Sequence, residues 1–240
     1  MKKRHIISSI LLIIFILITI LLLTKSLTVF DDSIYKVVSS MRCNFCDILF
    51  KSFTYLGNTI PVVIIVIFLL ILLNKKDRLI LGSCVISTLI LNQALKHIIR
   101  RPRPPIEERL ITQGGYSYPS GHSMMALCLY GVLIYFVQTK IKDKKLKIFL
   151  TALLTIIILL IGISRIYVRV HYPSDVIAGF ILTISILIIN ITIINNHIRG
   201  NINNEDVNKC IWNFDKKILL NLYSLSSNIL HFKQISKSQF

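Results

Sequence analysis

IISSILLIIFILITILLLT, residues 6–24, decides the fold class. Of its nineteen residues only Ser8, Ser9, Thr19 and Thr24 are polar, and a helix rising about 1.5 Å per residue crosses about 30 Å of hydrocarbon at that length. Lys2, Lys3 and Arg4 precede it. A secretory signal would have a shorter apolar stretch, roughly 7–15 residues, and a small-residue cleavage site after it. Thr24-Lys25-Ser26-Leu27 is a poor one, so the run reads as an uncleaved first span.

Five more apolar runs follow, at about 59–73, 79–95, 123–137, 148–163 and 176–194. The pattern predicts an all-α, six-span membrane bundle over residues 1–197, with both termini on one side. Several runs are shorter than 18 residues, so flanking residues must extend the helices or the bundle must tilt and thin the bilayer. The whole 240-residue chain agrees: 54% is hydrophobic and 16% charged, where a soluble domain carries about 25% charged residues. Disorder is excluded and the first partner is the lipid bilayer. The net charge of +17 would raise the question of nucleic acid in a soluble chain; here it sits between apolar runs, and no nucleic-acid partner is expected.

Counting Lys and Arg outside the tail gives eleven on the Met1 side and eleven in the opposite loops. The tie is broken by the first span, with three basic residues before it against Lys25 just after it, and by the short basic loops at 74–78 and 139–147. Met1 and Phe240 are therefore expected in the cytoplasm. The outer loops then hold an excess of cations, especially Lys96, Arg100, Arg101, Arg103 and Arg109, which an anionic substrate would explain.

After the first span, Asp31 or Asp32 can cap a helix whose apolar positions Ile34, Val37, Val38, Met41, Phe45, Ile48 and Leu49 fit one face lying in the outer interface. The tail, 198–240, repeats the pattern from Ile211 to Phe232, which suits a cytoplasmic amphipathic surface helix over 211–232 or a frayed end. Five cysteines form no disulfide framework. Cys43 and Cys46 make a CxxC too small for a structural zinc site, and in an oxidising compartment they could at most form a disulfide.

Three clusters fall in the outer loops: Lys96 to Pro104, Pro119-Ser120-Gly121-His122, and Ser164-Arg165 through His171 to Asp175. Each alone has an ordinary reading, as snorkelling cations, a turn and helix cap, or an interfacial histidine. Together they resemble the type 2 phosphatidic acid phosphatase superfamily, whose signature is K-x6-R-P, P-S-G-H and S-R-x5-H-x3-D. Every signature position is matched, and the likeness covers residues 30–194.

The resemblance implies a lipid phosphatase with catalytic His171, His122 and Asp175 and phosphate-binding Lys96, Arg103, Ser120, Gly121 and Arg165. His171 would attack phosphorus and form a phosphohistidine, His122 would protonate the leaving oxygen and later activate water, and Asp175 would hold the His171 tautomer. The residue types suit this chemistry, because phosphoryl transfer is mostly positioning and neutralisation of spread negative charge. Pro119 to His122 opens the fourth span, where free N–H groups and the positive helix end favour an anion. Pro102 and Pro104 must end the third span near Arg100. Arg100, Arg101 and Arg169 lie outside the signature and read as interface or head-group contacts. No Cys/His cluster or Asp-rich loop suggests a metal, so no cofactor is expected. Small size and richness in Ile, Lys and Asn look bacterial, and within the superfamily the chain looks most like the small bacterial enzymes, a resemblance that implies undecaprenyl pyrophosphate first, then phosphatidylglycerophosphate or phosphatidic acid, as substrate. A lipid phosphotransferase with an acceptor other than water is the alternative reaction.

Overall fold

The computed structural model describes residues 2–202. They fold into α1 (Lys2–Leu23), α2 (Thr28–Ser40), α3 (Asn44–Leu56), α4 (Thr59–Leu72), α5 (Lys75–Ile99), α6 (Gly121–Lys140), α7 (Lys144–Tyr167) and α8 (Pro173–Ile202), with a 3₁₀ turn at Ile106–Glu108. Among the described residues there is no strand. Helices α1, α5, α6, α7 and α8 are each long and apolar enough to cross a membrane. The run at 59–73 is not: α4 has 14 residues, about 21 Å of helix. It makes a sixth span only with α3, from which it bends by 43°. Asn58, with extended backbone, sits at that bend.

The single amphipathic helix expected after Asp31 or Asp32 is instead two, α2 and α3, parted at Met41–Cys43. Neither aspartate caps it, since α2 begins at Thr28, after Leu27. Asp31 is 1% exposed, drawn into a buried ion pair with Arg101. Cys43 takes the capping role for α3, its Sγ accepting the Cys46 N–H at 3.1 Å, and both thiols are free.

Ile13, Leu17 and Ile20 on α1, Ile64 and Phe68 on α4 and Ile90 on α5 are exposed. In water they would form an aggregation-prone surface, and in a bilayer they form the lipid face. The inward side is close-packed around α6, whose Ala126, Cys128, Leu129 and Val132 meet Ile80, Leu81 and Cys84 of α5 and Ile158 and Ile161 of α7. Helix α8 approaches closely because of two glycines. A Cβ at Gly162 would lie 2.5 Å from the Phe180 ring, and one at Gly179 would lie 3.3 Å from the Ser120 carbonyl oxygen, so larger residues there would force the helices apart. That proximity sets the starts of α6 and α8 side by side. Helix α1 packs at the edge, with Phe15 against Leu182 and Ile186 and Thr19 Oγ1 2.8 Å from the Tyr118 hydroxyl.

Among the described residues, those up to Ile194 form one compact unit. The surface helix expected over 211–232 lies outside the described residues.

Candidate active site

Each motif sits where a helix begins or ends. Helix α5 stops at Ile99, closed by Arg100 in the left-handed region at φ 51°, and Pro102 and Pro104 prevent its continuation. Lys96 is therefore in its last turn and Arg103 in the loop beyond. Ser120 caps α6, its Oγ accepting the Ser123 N–H and lying 2.8 Å from Ser123 Oγ. Ser164 and Arg165 are in the final turn of α7, and α8 opens with Pro173, a residue suited to a first helical position. Asp175 follows in that first turn, with His171 in the link between α7 and α8.

His171 is 1% exposed and Asp175 fully buried. Nδ1 of His171 faces Asp175 Oδ2 at 3.4 Å, and Nε2 lies 3.0 Å from the Arg103 Nη1 donor. A guanidinium can only donate, so Nε2 carries the lone pair and Nδ1 the proton. Burial pushes the His171 imidazolium down to about 3 although Asp175 opposes the shift, which leaves the ring neutral near pH 7. Asp175 Oδ2 also accepts the Tyr172 N–H at 2.9 Å and the Ser117 hydroxyl, while Oδ1 accepts from Arg101 at 2.6 Å. The Asp175 carbonyl takes the Ser120 N–H at 3.1 Å, joining the starts of α8 and α6.

The cations surround this pair. Arg103 is oriented by donation from Nε to the carbonyls of Gly114 and Gly115 at 3.1 and 3.0 Å and from Nη1 to Val170 O at 2.7 Å. Burial lowers its pKa to about 10, so it stays charged at neutral pH. Arg165 is fully buried; Nη1 donates to Thr54 Oγ1 at 2.8 Å and Nη2 to Gln113 Oε1 at 3.1 Å, and Nε finds no protein acceptor. Among the described residues no carboxylate pairs with it. Lys96 lies within electrostatic reach of Arg103, Asp175 and Arg165.

His122 completes the group, within electrostatic reach of Arg165, His171, Lys96 and Arg103. Its Nε2 is 2.7 Å from Asn58 Oδ1, which makes Nε2 the donor and leaves Nδ1 free. His122, Lys96, Gln113 and Gly121 line one end of a cavity of about 300 Å³ whose other walls include Val63 and Leu89 of α4 and α5. A Cβ at Gly121 would press on Asn92 Oδ1 at 3.0 Å, and Asn92 holds the Pro119 carbonyl at 3.0 Å. All eight residues expected from the sequence thus converge at one end of the bundle. A cluster of buried cations, a helix N-terminus and a neutral imidazole suits a tetrahedral oxyanion attacked by nitrogen.

Asp31, Thr54, Asn58, Gln113 and Ser117 also belong to this network, and none stands in a recognisable motif. Arg101 and Arg169 are not the surface head-group contacts their positions suggest. Arg101 bridges Asp31 and Asp175 at 2.7 and 2.6 Å. Arg169, 6% exposed, pairs with Glu108 at 2.7 Å and lies 3.3 Å from the Tyr35 ring centroid. The buried carboxylates of Asp31 and Asp175 draw Arg101 inward, the Tyr35 ring and the half-exposed Glu108 hold Arg169, and only Arg100 of the three stays exposed. Among the described residues no three His, Cys, Asp or Glu side chains converge as a metal centre needs.

A family model, the PAP2 superfamily, matches residues 77–199. Phosphatidylglycerophosphatase B of Bacillus subtilis (strain 168) is 31% identical over 160 residues, which is 63% of this chain and 77% of that protein. Lipid phosphate phosphatase delta of Arabidopsis thaliana is 26% identical over 108 residues, 40% of this chain and 26% of its own length. Among solved structures, the transmembrane PAP2-type phosphatidylglycerolphosphate phosphatase of B. subtilis matches with a TM-score of 0.67 and 27% identity, covering 80% of this chain and 96% of that one. LpxE of Aquifex aeolicus matches with a TM-score of 0.57 and 28% identity, over 67% and 93%. The signature residues, the helical bundle that gathers them and these likenesses agree, and the chain belongs to the PAP2 superfamily as an integral membrane phosphatase.

Proposed function

We propose that the protein hydrolyses a lipid phosphate at the extracytoplasmic face of the cell membrane, with both termini in the cytoplasm, through a phosphohistidine on His171. The observation that carries this reading is the buried, neutral His171 whose Nε2 lone pair faces Arg103. An arriving phosphoryl oxygen takes over the Arg103 donor and shares the charge of Lys96 and Arg165, with Ser120 and the N-terminus of α6 at the same end. Nε2 then bonds to phosphorus as the bond to the lipid oxygen breaks, and His122, which takes up a second proton at Nδ1 when the phosphate anion binds beside it, gives that oxygen the Nδ1 proton. The imidazolium character that develops on His171 is held by Asp175. Water next attacks phosphorus, His122 takes its proton, and the P–N bond breaks to release phosphate. Lys96, Arg103 and Arg165 neutralise charge that a divalent cation carries in other phosphoryl-transfer sites, and the reaction runs without a metal.

The likeness to phosphatidylglycerophosphatase B supports phosphatidylglycerophosphate as the substrate, ahead of undecaprenyl pyrophosphate and phosphatidic acid. Purified protein given ³²P-labelled phosphatidylglycerophosphate and quenched in alkali should carry label on His171, release phosphate in excess chelator, and do neither as His171→Ala. Phosphate release by His171→Ala near the wild-type rate removes His171 from the nucleophile role. A faster kcat/KM for undecaprenyl pyrophosphate in the same panel reverses the order of substrates.

A further inference from the structure

We propose that Arg101, held in place by Asp31, is a positioning residue that orients Asp175 toward His171 and so sets the nucleophile's tautomer and aim. The inference rests on the role of His171 proposed above. Asp175 has two oxygens with different tasks. Oδ2 serves His171 Nδ1, Ser117 and the Tyr172 N–H, while Oδ1 is taken by Arg101 Nη1 at 2.6 Å. A carboxylate free to rotate about its last bond would present either oxygen in either tilt; a bond to Oδ1 from a fixed guanidinium removes that freedom. The guanidinium is fixed from three sides. Its Nη2 donates to Asp31 Oδ2 at 2.7 Å, its Nη1 also reaches Ser174 Oγ at 2.8 Å, and its plane lies over the Tyr172 ring with Cζ 3.8 Å from the centroid.

Asp31 is anchored in turn. Oδ1 accepts the Ser174 N–H at 2.8 Å and Oδ2 the Ser174 hydroxyl at 2.8 Å, so a residue of α2 binds the first turn of α8 directly. Two buried carboxylates of like charge share one guanidinium, an arrangement that a planar fork satisfies and a lysine cannot. Removing the fork leaves the Asp31 and Asp175 charges unpaired and Asp175 free to turn. His171 then loses the acceptor that keeps Nε2 available. A misplacement of this size at a reacting group lowers turnover on the order of 10²-fold.

The test compares Arg101→Ala, Arg101→Lys, Asp175→Asn, Arg101→Ala with Asp175→Asn, and His171→Ala, as full-length protein in one detergent, for kcat, KM and rescue by millimolar guanidinium ion. Arg101→Ala should lose kcat on the order of 10²-fold with little change in KM and regain part of it with guanidinium. Adding it to Asp175→Asn should change little and give no rescue, since both act through one carboxylate. If Arg101→Ala does not fold, Arg101→Lys decides, with folding judged by gel filtration and the same loss of kcat expected. Losses that add in the double variant, a rise in KM alone, or a fully active Arg101→Lys overturns the proposal. An active His171→Ala would instead overturn the reading on which it rests.

Discussion

Arg165 should show opposite signs for activity and stability. It is fully buried, its two donors go to the neutral oxygens of Thr54 and Gln113, and its Nε has no protein acceptor. Arg165→Met keeps much of the volume and removes the charge. Two hydrogen bonds to a charged group are lost, each worth about 1.5–3 kcal/mol, whereas the desolvation of a buried ion that is relieved is several kcal/mol. The balance falls near zero or favours the variant, so the ligand-free melting temperature should hold or rise. Turnover should fall by 10²-fold to 10³-fold or more, about 2.7–4 kcal/mol, the loss seen when one oxyanion donor is removed. Vanadate at about 100 times its Kd should stabilise the wild type by about 2.7 kcal/mol and the variant far less. The assay is phosphate release from a short-chain lipid phosphate beside thermal melts with and without vanadate. An Arg165→Met enzyme that melts well below wild type, is stabilised equally by vanadate and keeps its turnover would refute the assignment of this guanidinium to the phosphate.

Because burial lowers His171 to about 3, it stays neutral above that pH and protonates only as pH falls through it; kcat/KM should therefore show no loss centred near 6.5 from this residue, and a histidine ¹⁵N resonance that is missing in His171→Ala and titrates near 6.5 in the wild type would contradict it. Asn58→Leu, which removes the acceptor that holds His122 Nε2, should lower kcat on the order of 10²-fold with little change in KM, and an unchanged kcat would remove Asn58 from orienting the donor. For topology, Thr112→Cys should react with an impermeant thiol reagent from outside intact cells and Lys142→Cys should not, in a background lacking the native cysteines; the reverse pattern inverts the orientation.

Much of this was legible in one dimension. An apolar run such as 6–24 has to span or be buried, because every backbone polar group in hydrocarbon must be satisfied within its own helix. The end of α5 at Arg100 follows from Pro102 and Pro104, and the four-residue step from His171 to Asp175 sets the link before α8 against that helix's first turn. The type and order of the eight site residues are covalent facts that their motifs display. The bent α3–α4 pair was less legible, since length alone made 59–73 a short span and only its attachment to α3 across Asn58 supplies the missing rise. The fates of Arg101 and Asp31 were invisible: seventy residues separate them, and nothing local distinguishes Arg101 from the exposed Arg100 beside it. Tertiary structure chose between those two arginines by bringing α2 and α8 together around one guanidinium, where a buried carboxylate must find a donor or be left unpaired. Asn58, Thr54, Gln113 and Ser117 were drawn in by the same requirement, since a neutral polar residue has no signature in sequence and gains its meaning from the buried group it satisfies.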